Sequence, residues 1–356
     1  MAPSGEASAP SAQPGTQPKP GAFAAVGADL SANLDRQLEQ VETLLNETVR
    51  QTSRLADESS RYLLSAGGKR VRPSLVLLAA QWAAQLTPGA DADSFDVVKA
   101  GAVVELTHLA TLYHDDVMDE APVRRGAPAA HHVWNNSVAI LTGDVLLARA
   151  SSLCSELGPR AVLLQSETFE RLVLGQLSEY TGPEDEADPI AHHIRVLSDK
   201  TGSLIAACGE FAVLASGGSP ELVEPLREYG ENVGVAFQLA DDIIDLASDE
   251  ADSGKTPGTD LREGVPTMPT LLLRREAAAG DSEAQRIVEL LDADLSSDEA
   301  LEAARTALVA HPVMEAARAE ARRWSAKAVD ALRDLPDGPI KSAFELFAAG
   351  VVNRVG

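Results

Sequence analysis

The sequence predicts an all-α fold: a single-domain bundle of about a dozen helices. Three observations carry that expectation. Ala and Leu dominate the apolar residues while aromatics make up only 4% of the chain, a composition that favours helices over sheets. Apolar residues recur at three- and four-residue spacing through most of the chain, and no segment alternates convincingly as a half-buried strand would. Gly- and Pro-containing breaks separate these runs, as helix ends and starts require.

Residues 1–27 are rich in Ala, Pro, Ser and Gly, with almost no large apolar side chains. Such a tail buries too little surface to offset its ordering entropy and is expected to be disordered, leaving 28–356 as the helical domain. The first helix begins near Asp29, with Leu30, Leu34, Leu38, Val41, Leu45 and Val49 in register. A second runs from about Ser53 and stops at Gly67-Gly68. GGKRVRPSLVLLAAQ then places Pro73 in the first turn of a third helix, so Lys69, Arg70 and Arg72 sit at its N-terminal approach. Free N–H groups, the positive dipole end and three cations together suit an anion. A loop, TPGADAD, leads into a long apolar helix, SFDVVKAGAVVELTHLATLYHDDVMD. Further helices are expected through AILTGDVLLARASSL, over about 160–181, over 190–216 with a kink at Lys200-Thr201-Gly202, and over 220–247. The polar, breaker-rich run SDEADSGKTPGTDLREGVP reads as a mobile loop and a candidate lid. From Thr267 to Asn353 the pattern is helical again, broken at Gly280, His311-Pro312 and Pro336-Asp337-Gly338.

Charge and cysteine content narrow the function. The net charge is −24, from 30 basic and 54 acidic residues, the opposite of a nucleic-acid binder. Two distant cysteines, Cys154 and Cys208, provide neither a disulfide framework nor a zinc site, and a reducing cytoplasm is the default. No stretch approaches ~18 uninterrupted apolar residues, so no transmembrane helix is expected, and the N-terminus lacks a secretory pattern.

Two acidic clusters stand out. YHDDVMDE holds Asp115, Asp116 and Asp119, and QLADDIID repeats the spacing with Asp241, Asp242 and Asp245. Residues i and i+4 share a helix face, so like charges repel there, and burial in an apolar helix adds a desolvation cost. A cation that cancels the charge explains their retention. Hard oxygen donors suit Mg²⁺, which shares its shell with substrate phosphates. Two such helices set opposite each other could hold metal around a diphosphate and stabilise it as a leaving group. A diphosphate that leaves an allylic carbon leaves a delocalised cation, which apolar helix walls shield from water. The basic island then calls for a second anion, a diphosphate bound without metal by Lys69, Arg72, His108 and Arg125. His108 lies two turns before Asp115, on roughly the same face.

The motifs GGKRVRP (67–73), ELTHLATLYHDDVMDEAPVRRG (105–126), GD (143–144), DKTG (199–202) and FQLADDIIDLASDEADSGKTPGTDLREG (237–264) together resemble the trans-type isoprenyl diphosphate synthases, in particular the long-chain polyprenyl diphosphate synthases. The resemblance implies an isoprenoid synthase-like bundle around a deep central cavity. It implies that Asp115, Asp116, Asp119, Asp241, Asp242 and Asp245 bind Mg²⁺. Lys69, Arg72 and His108, with Arg125 beside them, would form the isopentenyl diphosphate site. Arg124, Lys200, Thr201, Gln238 and Lys255 would contact the allylic diphosphate, Lys200 also counting as catalytic. It further implies a homodimer; with the cytoplasmic default and the acidic charge, the expectation is a cytoplasmic protein without a nucleic-acid partner, and the greasy product leaves room for a peripheral membrane contact on release.

Ala110 and Thr111, just before the first cluster, are small, whereas the resemblance implies bulky aromatics near here in short-chain members of the family. Tyr113 lies on roughly the opposite side of the helix wheel. A long product follows, roughly hepta- to nonaprenyl, of the kind used for a menaquinone side chain. The alternatives are a shorter-chain (geranylgeranyl or farnesyl) synthase, a terpene cyclase, and a non-catalytic partner subunit. A cyclase would not need Lys69 and Arg72. A non-catalytic subunit would tend to lose aspartates that are all present here.

Overall fold

A computed structural model describes residues 27–183, 188–247 and 257–355. Helices α1 (Ala28–Thr48) and α2 (Arg54–Ser65) lead into α3 (Val71–Leu86) and α4 (Phe95–Met118). A short α5 (Ala130–Val133) precedes α6 (Asn136–Glu156) and α7 (Pro159–Thr181). Helix α8 (Pro189–Leu197) passes through a π turn (Ser198–Gly202) into α9 (Ser203–Ser216), and α10 spans Val223–Ala247. The remainder is α11 (Thr259–Glu263), α12 (Met268–Ala278), α13 (Ser282–Leu291), α14 (Asp298–Ala310), α15 (Val313–Ala331) and α16 (Pro339–Val352).

Sequence explains which helices lie inside. In α3, α4 and α9 apolar residues surround the axis, and these helices are buried on most sides. Amphipathic α1 instead buries one stripe, Leu34, Val41 and Leu45. Helix α4 packs on α6, α3 and α9, and α10 packs on α15 and α9. Thus α9 touches both acid-bearing helices. Tyr113, wholly buried, turns toward α2: its hydroxyl bonds the Ser59 carbonyl and accepts the Leu63 N–H at 3.2 Å.

Three details depart from expectation. Val123–Arg124 pairs antiparallel with Ala127–Pro128, a minimal hairpin where no strand was expected. Its turn holds Arg125 at φ 54° and Gly126 at φ 76°, the paired positive angles of a tight hairpin. A left-handed non-glycine residue costs roughly 1–2 kcal/mol, a price associated with functional segments. Secondly, Asn136–Glu156 is long and apolar enough by composition to cross a membrane, with 39% of its apolar window buried in the bundle. Scattered polar residues interrupt its run and hid it from a search for unbroken apolar stretches. Thirdly, part of the expected lid forms α11, whose Asp260 N–H donates to the Asp245 carboxylate at 3.2 Å. Residues 248–256, the first part of the expected lid and including Lys255, lie outside the described residues, as do 1–26 of the expected disordered tail.

Candidate active site

The six motif carboxylates are not equivalent. Asp115 and Asp116 occupy the last turn of α4, and Asp119 caps its C-terminus. That is the negative end of the helix dipole, so acids there gain nothing from the backbone. Burial pushes Asp115 up to about 6, against the pull of Lys200 and with the repulsion of Asp119 and Glu179. Burial also raises Asp119, again against Lys200 and with Glu179. Asp116 is 0% exposed. Its Oδ1 accepts from Arg124 Nε at 2.5 Å, while Oδ2 is buried without a hydrogen-bond partner. Burial raises this carboxyl too, with Arg124 opposing.

The second cluster repeats the distinction. Asp242 is 8% exposed, and its Oδ2 accepts the Met268 N–H at 2.9 Å and lies 3.0 Å from His193 Nε2. Asp241 lies nearer solvent, 3.3 Å from Arg354 Nη1. The middle aspartate of each motif is therefore the most deeply buried, while Asp241 and Asp245 lie nearer solvent with Arg354 and the Asp260 N–H beside them.

One rod links the clusters. Lys200, on the π turn, is bound to Glu179 at 2.5 Å and acts electrostatically on Asp115 and Asp119. His193, on α8 of the same rod, reaches Asp242. Thr201 is buried in the turn, and Gln238 is half-buried one turn before the second cluster. The π form fits a functional role, since single-turn π-bulges recur at functional sites.

A hard divalent cation suits this donor set. Burial raises Asp115 and Asp119, the negative charge of Glu179 adds to the rise in both, and the buried Asp116 Oδ2 has no partner. Among the described residues, no three His, Cys, Asp or Glu side chains already converge as a metal cage. The fit therefore rests on donor chemistry, in keeping with an ion that shares its shell with substrate oxygens.

The basic island lies two turns back on α4. Arg72 is in the first turn of α3, and its Nε is buried without a partner. Burial drives His108 well below its ordinary value, and Arg72, Arg125, Arg124 and Arg70 add to the effect. His108 is thus neutral amid cations. Burial likewise lowers Arg72 and Arg125, with Glu105 opposing. Arg125 donates to the Leu63 carbonyl at 2.9 Å and to the Gly67 carbonyl. Gly68, at φ 159°, leaves room for these guanidiniums, for a Cβ there would lie 2.7 Å from Arg70 Nη1 and 3.1 Å from Arg125. Arg70 does not join the anion-facing set. It turns inward to Glu42 and, at 2.9 Å, to buried Glu105. Lys69 is exposed at the rim.

Reading the chain alone missed Glu179, His193, Glu105 and the Arg171 network described below. Glu179 lies in a helix without motif signal, and His193 became visible only once α8 was placed against α10. The GQLSE spacing around Glu179 was the one local cue.

Comparison with known proteins adds a second line of observation. Residues 53–308 match the family model for polyprenyl synthetase. Nonaprenyl diphosphate synthase of Mycobacterium tuberculosis is 44% identical over 317 residues, covering 89% of this chain and 92% of that protein. Octaprenyl diphosphate synthase of Escherichia coli is 32% identical over 315 residues, covering 88% and 94%. Among solved structures, geranylgeranyl pyrophosphate synthase from Corynebacterium glutamicum, complexed with calcium and isoprenyl diphosphate, superposes with a TM-score of 0.81 at 41% identity. That match covers 93% of this chain and 98% of the other.

Proposed function

This chain belongs to the polyprenyl synthetase family, and on that premise we propose that it condenses isopentenyl diphosphate head-to-tail with an allylic diphosphate, using Mg²⁺, to build a long all-trans polyprenyl diphosphate. The observation that carries the reading is a pair of opposite sites on one helix. Acids gather at the end of α4, and cations surround neutral His108 two turns before them. One diphosphate needs metal and the other does not.

Asp115, Asp116, Asp119, Asp241, Asp242 and Asp245 would hold the ions, Asp116 and Asp242 being tied as well to Arg124 and to His193 and the Met268 N–H. When bound, the metal would stabilise the charge that develops on the leaving diphosphate. Lys200, Thr201, Gln238 and Arg124 would orient the allylic diphosphate, and Lys255 is assigned with them. Arg72, His108, Arg125 and Lys69 would place the second substrate so that its double bond meets the allylic carbon as the C–O bond breaks. The released diphosphate would accept the proton. Leu106, Leu109 and Ala110 on α4 are buried and apolar, and offer water no polar group to follow.

Incubation with isopentenyl diphosphate, each of geranyl, farnesyl and geranylgeranyl diphosphate, and Mg²⁺, followed by mass analysis, tests the proposal. Long chains are expected only with metal present. Cyclic hydrocarbons, or no product from any primer, would reject it.

Product length is the open choice among relatives, since one is named for a nonaprenyl product and a solved neighbour for a geranylgeranyl one. We assign the floor to Ala110 and Thr111. Thr111 is half-buried one turn below Asp115 on the same face, its hydroxyl donating to the His108 carbonyl at 2.9 Å, while Ala110 is 0% exposed. Thr111→Phe is expected to shift the products to clearly shorter chains on chromatography. Ala110→Phe should act likewise with a greater folding cost, because overpacking a closed site costs about 1–3 kcal/mol. Unchanged length in both variants would remove the assignment.

The same reading includes a homodimer. Leu141, Leu163, Leu174, Leu177 and Tyr180 on α6 and α7 are at least half exposed, a patch of the kind that marks an interaction surface. Cytoplasmic location, peripheral membrane contact during product release and a menaquinone-type destination complete the proposal.

A further inference from the structure

We propose that Arg171 is a positioning residue for the allylic diphosphate: it clamps the π turn that presents Lys200 to Asp115 and Asp119. The inference rests on the reading of Lys200 as a diphosphate contact and goes beyond it, because Arg171 belongs to none of the motifs.

The contacts are unusually complete for one side chain. Arg171 Nε donates to Asp199 at 2.7 Å, Nη1 to Glu231 at 3.0 Å, and Nη2 to Glu231 at 2.5 Å and to Ser198 Oγ at 3.2 Å. The Ser198 hydroxyl itself donates to Glu231. Three elements are thereby joined: α7, the π turn and α10. Burial alone would raise Glu231, yet Arg171 and Ser198 hold it below its ordinary value. The fork geometry matters, since a bidentate guanidinium–carboxylate pair fixes orientation as well as distance.

Helical spacing aligns this clamp with the site. On α7, Arg171, Gly175 and Glu179 lie at successive i+4 positions on one face. Arg171 grips the turn, Gly175 lets it close in, and Glu179 receives Lys200. A Cβ at Gly175 would lie 2.8 Å from the Lys200 backbone nitrogen. On α10, Glu231, Gly234 and Gln238 follow the same logic toward Asp241 and Asp242. A Cβ at Gly234 would lie 2.6 Å from the Gly202 Cα. The turn is therefore held at backbone distance from both sides. Asp199 meets Arg171, and the next residue, Lys200, meets Glu179 two turns further along the same face of α7. Loss of the clamp would let the turn relax toward ordinary α-helix, which rotates Lys200 away.

Steady-state kinetics of Arg171→Gln, Arg171→Lys, Lys200→Met and the Arg171→Gln/Lys200→Met pair test this, with melting temperatures alongside. Arg171→Gln is expected to raise the KM for the allylic primer by roughly tenfold or more, as misplacement of a binding group does. The KM for isopentenyl diphosphate should stay within about twofold, since independent sites do not couple. Arg171→Lys should recover part of the loss, because charge survives while the fork does not. Lys200→Met should show the same selectivity more strongly, and adding Arg171→Gln to it should change little. Equal loss for both substrates in Arg171→Gln, or full additivity in the pair, would overturn the inference while leaving Lys200 in place. A Lys200→Met enzyme with an unchanged allylic KM would overturn the underlying reading as well. If Arg171→Gln melts below the assay temperature, Glu231→Gln, which keeps shape and loses charge, carries the same comparison.

Discussion

Asp115→Asn is expected to abolish turnover and, in chelated protein above about pH 6, to raise thermal stability. The two effects have one cause. The carboxylate at the end of α4 is half-buried; desolvation, with Asp119 and Glu179 adding repulsion, lifts it to about 6 from its ordinary 3.8. A folded-state value above the unfolded one means that the fold binds the proton more tightly. The charge therefore opposes folding in full above about pH 6 and not at all below the unfolded value near 3.8. Asn removes that opposition. After discounting for partial solvent access, the gain is roughly 1–2 kcal/mol at pH 8. It should shrink through the window between the two values and vanish near pH 3.5 or so. Turnover moves the other way. On the proposed role of Asp115, its loss would weaken the hold on a cation that stabilises developing charge, an effect of several kcal/mol on the barrier; each 1.36 kcal/mol is tenfold, so a fall of about a thousandfold or more is expected. Melting curves in a chelator across pH, paired with Mg²⁺-supported rates, check both halves. A variant that melts lower than the parent at pH 8 would contradict the electrostatic account. One that turns over normally would contradict the assignment of the site.

Arg72→Ala is expected to raise the KM for isopentenyl diphosphate by roughly a hundredfold, with little change for the allylic primer. A charge-assisted hydrogen bond contributes about 1.5–3 kcal/mol, and Arg72 can offer more than one. Its Nε is buried without a partner in the protein, so the fold has set this donor aside. The cluster around it is short of negative charge, since buried Glu105 is already bound to Arg70 at 2.9 Å and lies 3.9 Å from Arg125. Removing one cation also eases the crowding of positive charge around His108, so the melting temperature should move by only a few degrees. Lys69→Ala should shift the same KM in the same direction by less, because that side chain is exposed at the rim. Substrate-resolved kinetics decide the matter, and equal losses for the two diphosphates would show that the cationic cluster serves neither one in particular.

The roles of the middle aspartates were not legible in the motifs. DDxxD places three acids within five residues, and periodicity alone assigns Asp115 and Asp119 to one face. Nothing local distinguishes Asp116 as a buried anchor. That distinction comes from Arg124, delivered by a hairpin whose left-handed Arg125 no propensity rule favours. The same holds for Asp242, whose partners are His193, 49 residues away, and the N–H of Met268 at the start of α12. Arg70 illustrates the converse. Its place in a basic tripeptide suggested an anion contact, but packing turned it to Glu42 and Glu105.

By itself, then, the sequence determined the all-α class and most helix boundaries, and it singled out the candidate residues for phosphate and metal. Those features follow from spacing along the chain, where a rise of about 1.5 Å per residue decides which side chains share a face. Only the tertiary structure decided what each face meets. It set α9 against both acid-bearing helices, drew Arg171 to Glu231 across 60 residues, and buried Asp116 and Arg72 with atoms left unpaired. The reason is physical: charge state and partner depend on burial and on distances through space, and neither is a property of neighbouring letters.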